Sequence, residues 1–229
     1  MAFIQTRRVG FGELLSESFA VLAAIRRELA IYFGIFLAVG LFSDFVGPPF
    51  DSVIGFAAFF GYFAAQYWLY RAALTSLGVS FDARYKIFSF FFMAILIGIA
   101  VSLASNFFLI PGLLLAAKWV MAPSFLVAED RNLAEALGDG WNASNGNFGP
   151  ILGAFTVMSF VWLFAFGLLL TLGALVSEAI TGRVGAGAGV SGLEWMLFHI
   201  YPVLLLGLSV AAYRALADDV NADIVSVFE

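Results

Sequence analysis

Cysteine is absent from the 229 residues, which excludes disulfides, thiolate metal sites and cysteine nucleophiles. Histidine occurs once, as His199, so no site that needs two imidazoles can form. No HxxxH or ExxH spacing occurs, and neither a metal nor a cofactor is expected. Charge is scarce as well. Asp, Glu, Lys and Arg make up 12% of the chain, against about 25% in soluble domains. What remains is apolar: 62% of residues, 27 phenylalanines among them, with a mean hydropathy of +0.99. Polar groups this few cannot cover such a surface in water, so lipid must cover it. The stretch GAGVSG at 187–192 fits a dinucleotide-loop pattern, but no strand precedes it, so no nucleotide site is expected. No basic-aromatic surface points to nucleic acid.

The apolar runs are continuous rather than alternating, which favours helices over a barrel. Measured against about 20 helical residues per crossing, they predict an all-α bundle of six spans at 31–46, 53–70, 87–109, 111–127, 148–176 and 193–213. The whole chain, 1–229, is expected to form one polytopic domain: an amphipathic segment at 1–30, four spans over 31–127, an interfacial helix at 131–147, two spans over 148–213, and a cytoplasmic tail at 214–229. With the N-terminus inside, nine Lys and Arg residues fall on the inner side: Arg7, Arg8, Arg26, Arg27, Arg71, Arg84, Lys86, Arg131 and Arg214. Only Arg183 falls outside, and Lys118 lies within the fourth span. That bias predicts both termini in the cytoplasm and an inner-membrane location.

The first 28 residues lack the apolar core and cleavage site of a signal peptide. Phe11, Leu14, Leu15, Ser18, Phe19, Leu22 and Ile25 instead recur at the spacing of one helical face, as in a helix lying on the inner membrane surface. Packing of that face onto the protein's own inner loops is the alternative. Leu133, Leu137 and Trp141 mark a second such helix. LYRAAL at 69–74 and AYRAL at 212–216 each close a span, so the two halves could be a parallel repeat. Small residues recur every fourth position at Ala57, Gly61 and Ala65, at Ala94, Gly98 and Ser102, and at Gly207 and Ala211. Such stripes predict close helix packing.

The centre of the chain carries Ile110-Pro111-Gly112, Pro123, Glu129, Ala136-Leu137, Trp141 and Gly146-Asn147-Phe148. This pattern resembles the membrane domain of membrane-anchored glycerophosphodiester phosphodiesterases and the related YciC-like inner-membrane proteins. Similar sequences carry Ser where Gly140 stands, and basic residues where Gly138 and Asp139 stand. The resemblance implies a membrane fold rather than an activity, and no phosphodiesterase catalytic segment is expected in these residues.

Lys118 is the most informative polar residue, because a charge inside a span costs a few kcal/mol unless it snorkels or finds partners. Counting from Pro111 places it about 10 Å in from the outer face. Asn106, His199, Asp44, Glu178 and Glu194 are expected near the same leaflet. Breaks at Pro111-Gly112, Pro123 and Pro202 would free backbone carbonyls there. Lys118, Asn106 and His199, bordered by Trp119, are therefore read as one outward-opening pocket for an anionic lipid. Snorkelling of Lys118 to bulk lipid is the rival. The expected function is that of a non-catalytic, lipid-associated protein. An accessory subunit of a larger membrane complex is the alternative, and a transporter or membrane-embedded enzyme the third reading.

Overall fold

The computed structural model describes residues 8–46, 50–79, 81, 86–129, 131–181 and 190–228; side chains are described for 8–42, 52–79, 81, 86–106, 108–129, 131–172, 174–175 and 197–216. The described residues form helices and connecting turns, with no strand. In chain order the helices are α1 (Phe11–Ala24), α2 (Arg26–Val46), α3 (Phe50–Ser76), α4 (Ile87–Phe107), α5 (Leu109–Trp119), α6 (Ala122–Ala128), α7 (Leu133–Ala143), α8 (Phe148–Thr181) and α9 (Val190–Phe228).

Among the described residues, five stretches are long and apolar enough to cross a membrane: Ser52–Ser76, Ile87–Asn106, Leu109–Ala128, Phe148–Leu172 and Leu197–Leu216. These match the second to sixth predicted spans. The predicted first span lies in α2, a 21-residue helix that runs beyond the residues whose side chains are described. Only Ile25 separates α2 from α1, so the surface segment and the helix after it are nearly continuous.

Proline acts differently at each expected break. Phe108, with extended backbone, makes the turn between α4 and α5, and Pro111 then falls in the first turn of α5, where its missing N–H costs nothing. The interruption before Pro123 is real: Val120 and Met121 separate α5 from α6, and Pro123 sits in the first turn of α6. Pro202 breaks nothing; α9 runs through it from Val190 to Phe228. α8 continues to Thr181 and α9 begins at Val190.

α9 is the central staff of the bundle. Of its apolar stretch, 61% is buried, against 11% for those of α4 and α8, which present their phenylalanines and leucines outward for lipid to cover. One core cluster joins α2, α3, α4, α6 and α9 around Tyr32, Leu69, Met93, Leu126 and Leu206. A second joins α1, α5, α8 and α9 around Leu14, Met121, Ile151 and Leu208. Across the first, Ser124 and Ser209 share a 2.8 Å hydrogen bond between α6 and α9. In low-dielectric surroundings such a bond is worth about 1 kcal/mol.

α1 packs on α9 and α8, burying Leu14, Ser18 and Val21. Its expected apolar face is thus divided: Phe11 and Phe19 stay exposed while the protein takes the rest. Gly207 permits this docking, since a Cβ there would lie 2.9 Å from both Ser18 O and Leu22 Cγ. α7 starts with a capping box, in which Asn132 Oδ1 accepts from Glu135 N at 3.0 Å and Glu135 Oε2 accepts from Asn132 N at 2.9 Å. It then packs on α6 so closely that a Cβ at Gly140 would lie 2.9 Å from Ala122 N. The other two small-residue stripes do not pack this way: a Cβ on Gly61 or Gly98 would meet nothing within 4 Å.

Polar contacts gather at one end of the bundle. Lys86 Nζ donates to the carbonyls of Glu129 (3.2 Å) and Arg131 (2.9 Å), tying the start of α4 to the α6–α7 link. Glu129 also accepts from Arg131 Nε at 3.0 Å and from Tyr213 OH of α9 at 3.3 Å. The hydrogen bond to Glu129, then the charge of Asp139, raises the Arg131 pKa above its ordinary value, so its charge is permanent. Arg214 pairs with Glu17 of α1 at 3.3 Å.

Candidate functional site

The four residues expected to share a pocket separate into distinct settings. Asn106 is exposed near the end of α4, and its Nδ2 donates to Ser102 O one turn back, at 3.0 Å. Lys118 lies ten residues beyond the Phe108 turn, about 15 Å of helical rise from Asn106's end of the bundle. Its ammonium donates to Asn145 Oδ1 in the turn between α7 and α8. It also stands over the rings of Phe148, at 4.7 Å, and Trp141, at 5.2 Å. His199 is buried on α9, stacked on Phe36 at 4.0 Å and flanked by Tyr62 and Tyr32 at 5.3 and 5.9 Å. Trp119 packs against Trp141 at 6.2 Å. Asp44, Glu178 and Glu194 lie outside the residues whose side chains are described.

The expected pocket of Lys118, Asn106 and His199 is therefore replaced by a different arrangement. Height along one helix was the misleading quantity. The α5–α6 segment is interrupted at Val120–Met121, and Lys118 meets Phe148, the first residue of the α8 span. Its ammonium is level with an end of α8, although it lies midway along the Leu109–Ala128 stretch.

Two cavities take the place of that pocket. The larger, about 760 Å³, lies between α3, α8 and α9. Its walls are Gly55, Ala58, Phe59, Tyr62, Phe63, Phe166, Leu170, Phe198 and His199. Phe59 and Phe198 are exposed, so the cavity reaches the apolar flank of the bundle. Its polar side chains are few: His199 and Tyr62. The smaller, about 430 Å³, is shared by α3, α4, α5, α6, α8 and α9. Gln66, Tyr70, Ser102, Ser105 and Tyr201 are its polar wall residues, and Trp119 lines it. Tyr62 and Phe63 line both cavities, so a single turn of α3 is the partition between them.

His199 and Trp119 thus border a pair of adjoining cavities, whereas Lys118 and Asn106 line neither. The small residues Ala94, Gly98 and Ser102 leave room inside the smaller cavity instead of drawing two helices together. Gln66 and Tyr62 carry no sequence signal of their own. Gln66 Nε2 donates to Tyr32 OH at 2.7 Å, which fixes the amide at the cavity edge. Its one legible trait was being a polar residue inside a span, a position that favours facing the bundle interior.

Among the described residues no group of three or more His, Asp or Glu could hold a metal ion. Comparisons with protein-family models, curated proteins and solved structures gave no match.

Proposed function

We propose that this chain is a non-catalytic, lipid-associated protein of a bacterial inner membrane, and that the cavity between α3, α8 and α9 holds the apolar part of an amphiphile. One observation carries the reading: a 760 Å³ space walled by aromatic and aliphatic side chains, open to the apolar flank, with His199 and Tyr62 as its few polar points. Ligand sites have this make-up, mostly apolar with a few placed polar groups. A hydroxyl or ester of an amphiphile could bond to the imidazole while its chain lies along Phe59, Phe63 and Phe166.

Gly55 supplies the test, because a Cβ there meets nothing within 4 Å and leucine can grow into the cavity without displacing backbone. Gly55→Leu should leave the helix at least as stable, since glycine is about 1 kcal/mol worse than a good helix former. It should also reduce lipid retained through gentle purification several-fold, read by native mass spectrometry. Unchanged retention would sink the cavity reading. A constant protein companion with no retained lipid would favour the accessory-subunit reading instead.

The topology proposed with this function is six spans, the first of them in α2, with α1 and α7 at the inner surface and both termini cytoplasmic. The Lys and Arg distribution supports it, and so does the resemblance to the YciC-like proteins. Because the chain lacks cysteine, single-cysteine reporters are clean. Reporters replacing Pro48 and Gly187 should label from outside, and those replacing Asp82 and Asp130 only from inside. Outside labelling at Asp82 and Asp130 would invert the topology.

A further inference from the structure

We propose that Lys118 is the centre of a phosphate-binding site for an anionic lipid, formed where α5 meets the turn between α7 and α8. This site is separate from the cavities and deepens the lipid-associated reading by naming a headgroup chemistry. Lys118 is an ammonium inside an apolar stretch, and among the described residues no carboxylate pairs with it. The described ion pairs join other residues: Glu129 and Asp139 with Arg131, and Glu17 with Arg214. Its one hydrogen-bond partner, the Asn145 amide oxygen, is neutral. The Phe148 and Trp141 rings stabilise the cation, but they do not cancel its charge. An ammonium has three donors, so two remain after Asn145.

The position suits a phosphodiester. Phe148 begins the α8 span, so the ammonium lies at the level where a span ends and headgroups begin. Trp141, Trp119 and Phe148 are the aromatic neighbours that sit at that level in membrane proteins. Lys118 is only half-buried and Asn145 is exposed, so a headgroup can approach both. A phosphate oxygen bonded to Nζ would form a charge-assisted hydrogen bond, strengthened by the low dielectric of its surroundings. The Asn145 amide N–H2 group would be a second donor within reach. A soluble phosphate offers the same oxygens, but it lacks acyl chains to lie against this apolar face.

The test uses the full chain in nanodiscs containing phosphatidylglycerol and phosphatidylcholine in equal amounts, with annular and retained lipid read by native mass spectrometry. Wild-type protein should retain phosphatidylglycerol in preference. Lys118→Met should reduce that preference about tenfold, the loss of one charge-assisted contact of about 1.4 kcal/mol, while Lys118→Arg keeps most of it. Gly55→Leu should leave the preference intact, which separates failure of this site from failure of the cavity reading. No preference in the wild type would overturn the proposal even if Lys118→Met did not fold. An unchanged preference in folded Lys118→Met would overturn it too. Displacement of phosphatidylglycerol by millimolar inorganic phosphate would reassign the site to a free anion and overturn the lipid assignment.

Discussion

Gly140→Val should destabilise the protein by about 1–3 kcal/mol or more, the cost of overpacking a close contact. The reason is specific to α7. A Cβ at Gly140 would stand 2.9 Å from Ala122 N and 3.1 Å from Ala122 Cα, so it meets backbone, which cannot rotate away. α6 and α7 would have to separate, disturbing the buried Ala122 and Ala136. Two positions earlier the expectation reverses. A Cβ at Gly138 meets nothing within 4 Å, so Gly138→Ala should stabilise α7 by up to about 1 kcal/mol through helix propensity alone. Thermal unfolding in one detergent compares the pair. Equal shifts for both variants would contradict the close α6–α7 contact. The same contact leaves no room for a serine Cβ at 140.

Gly207→Leu should release α1 from the bundle. Ser18 O and Leu22 Cγ both lie 2.9 Å from where a Cβ would be, so any side chain pushes the two helices apart. Undocking would uncover Leu14, Ser18 and Val21. It would also break the Arg214–Glu17 pair (3.3 Å) and the bond from Val9 N to Asn147 Oδ1 (2.9 Å). The exposed ion pair contributes at most about 1 kcal/mol, so packing dominates the loss. Limited proteolysis should then cut within the first 24 residues of the variant while the wild type is protected, with the remaining helices intact. Gly12→Ala is the control, since its Cβ would meet nothing within 4 Å. Protection of α1 in Gly207→Leu would mean that it is held by something other than this contact.

The membrane class, the all-helical character and five apolar stretches were legible in the residues, because the length and hydropathy of a span are local properties. The segment with two prolines and Lys118 was the least regular of the predicted spans, yet it meets the length and apolarity of a crossing. The face of α1 was legible only as a stripe of spacing. Whether lipid or protein covers it depends on Gly207 being bare at the matching height of α9. The small-residue stripes looked alike in sequence, but Gly207 meets a helix whereas Gly98 lines a cavity. Periodicity tells which residues share a face, not what stands opposite.

Lys118 shows the same limit most plainly. Its charge and its place within a span were there to be read, and they correctly marked it as a residue in need of partners. Its partners, Asn145, Trp141 and Phe148, lie 23 to 30 positions further along the chain. They reach it through the offset of α8 relative to α5. The vertical offset and rotation of each helix follow from side-chain packing between segments distant in sequence, which the pattern within any one segment does not contain. The tertiary structure therefore decided that Lys118 belongs with the α7–α8 turn, that His199 belongs with an aromatic cavity, and that Asn106 joins neither.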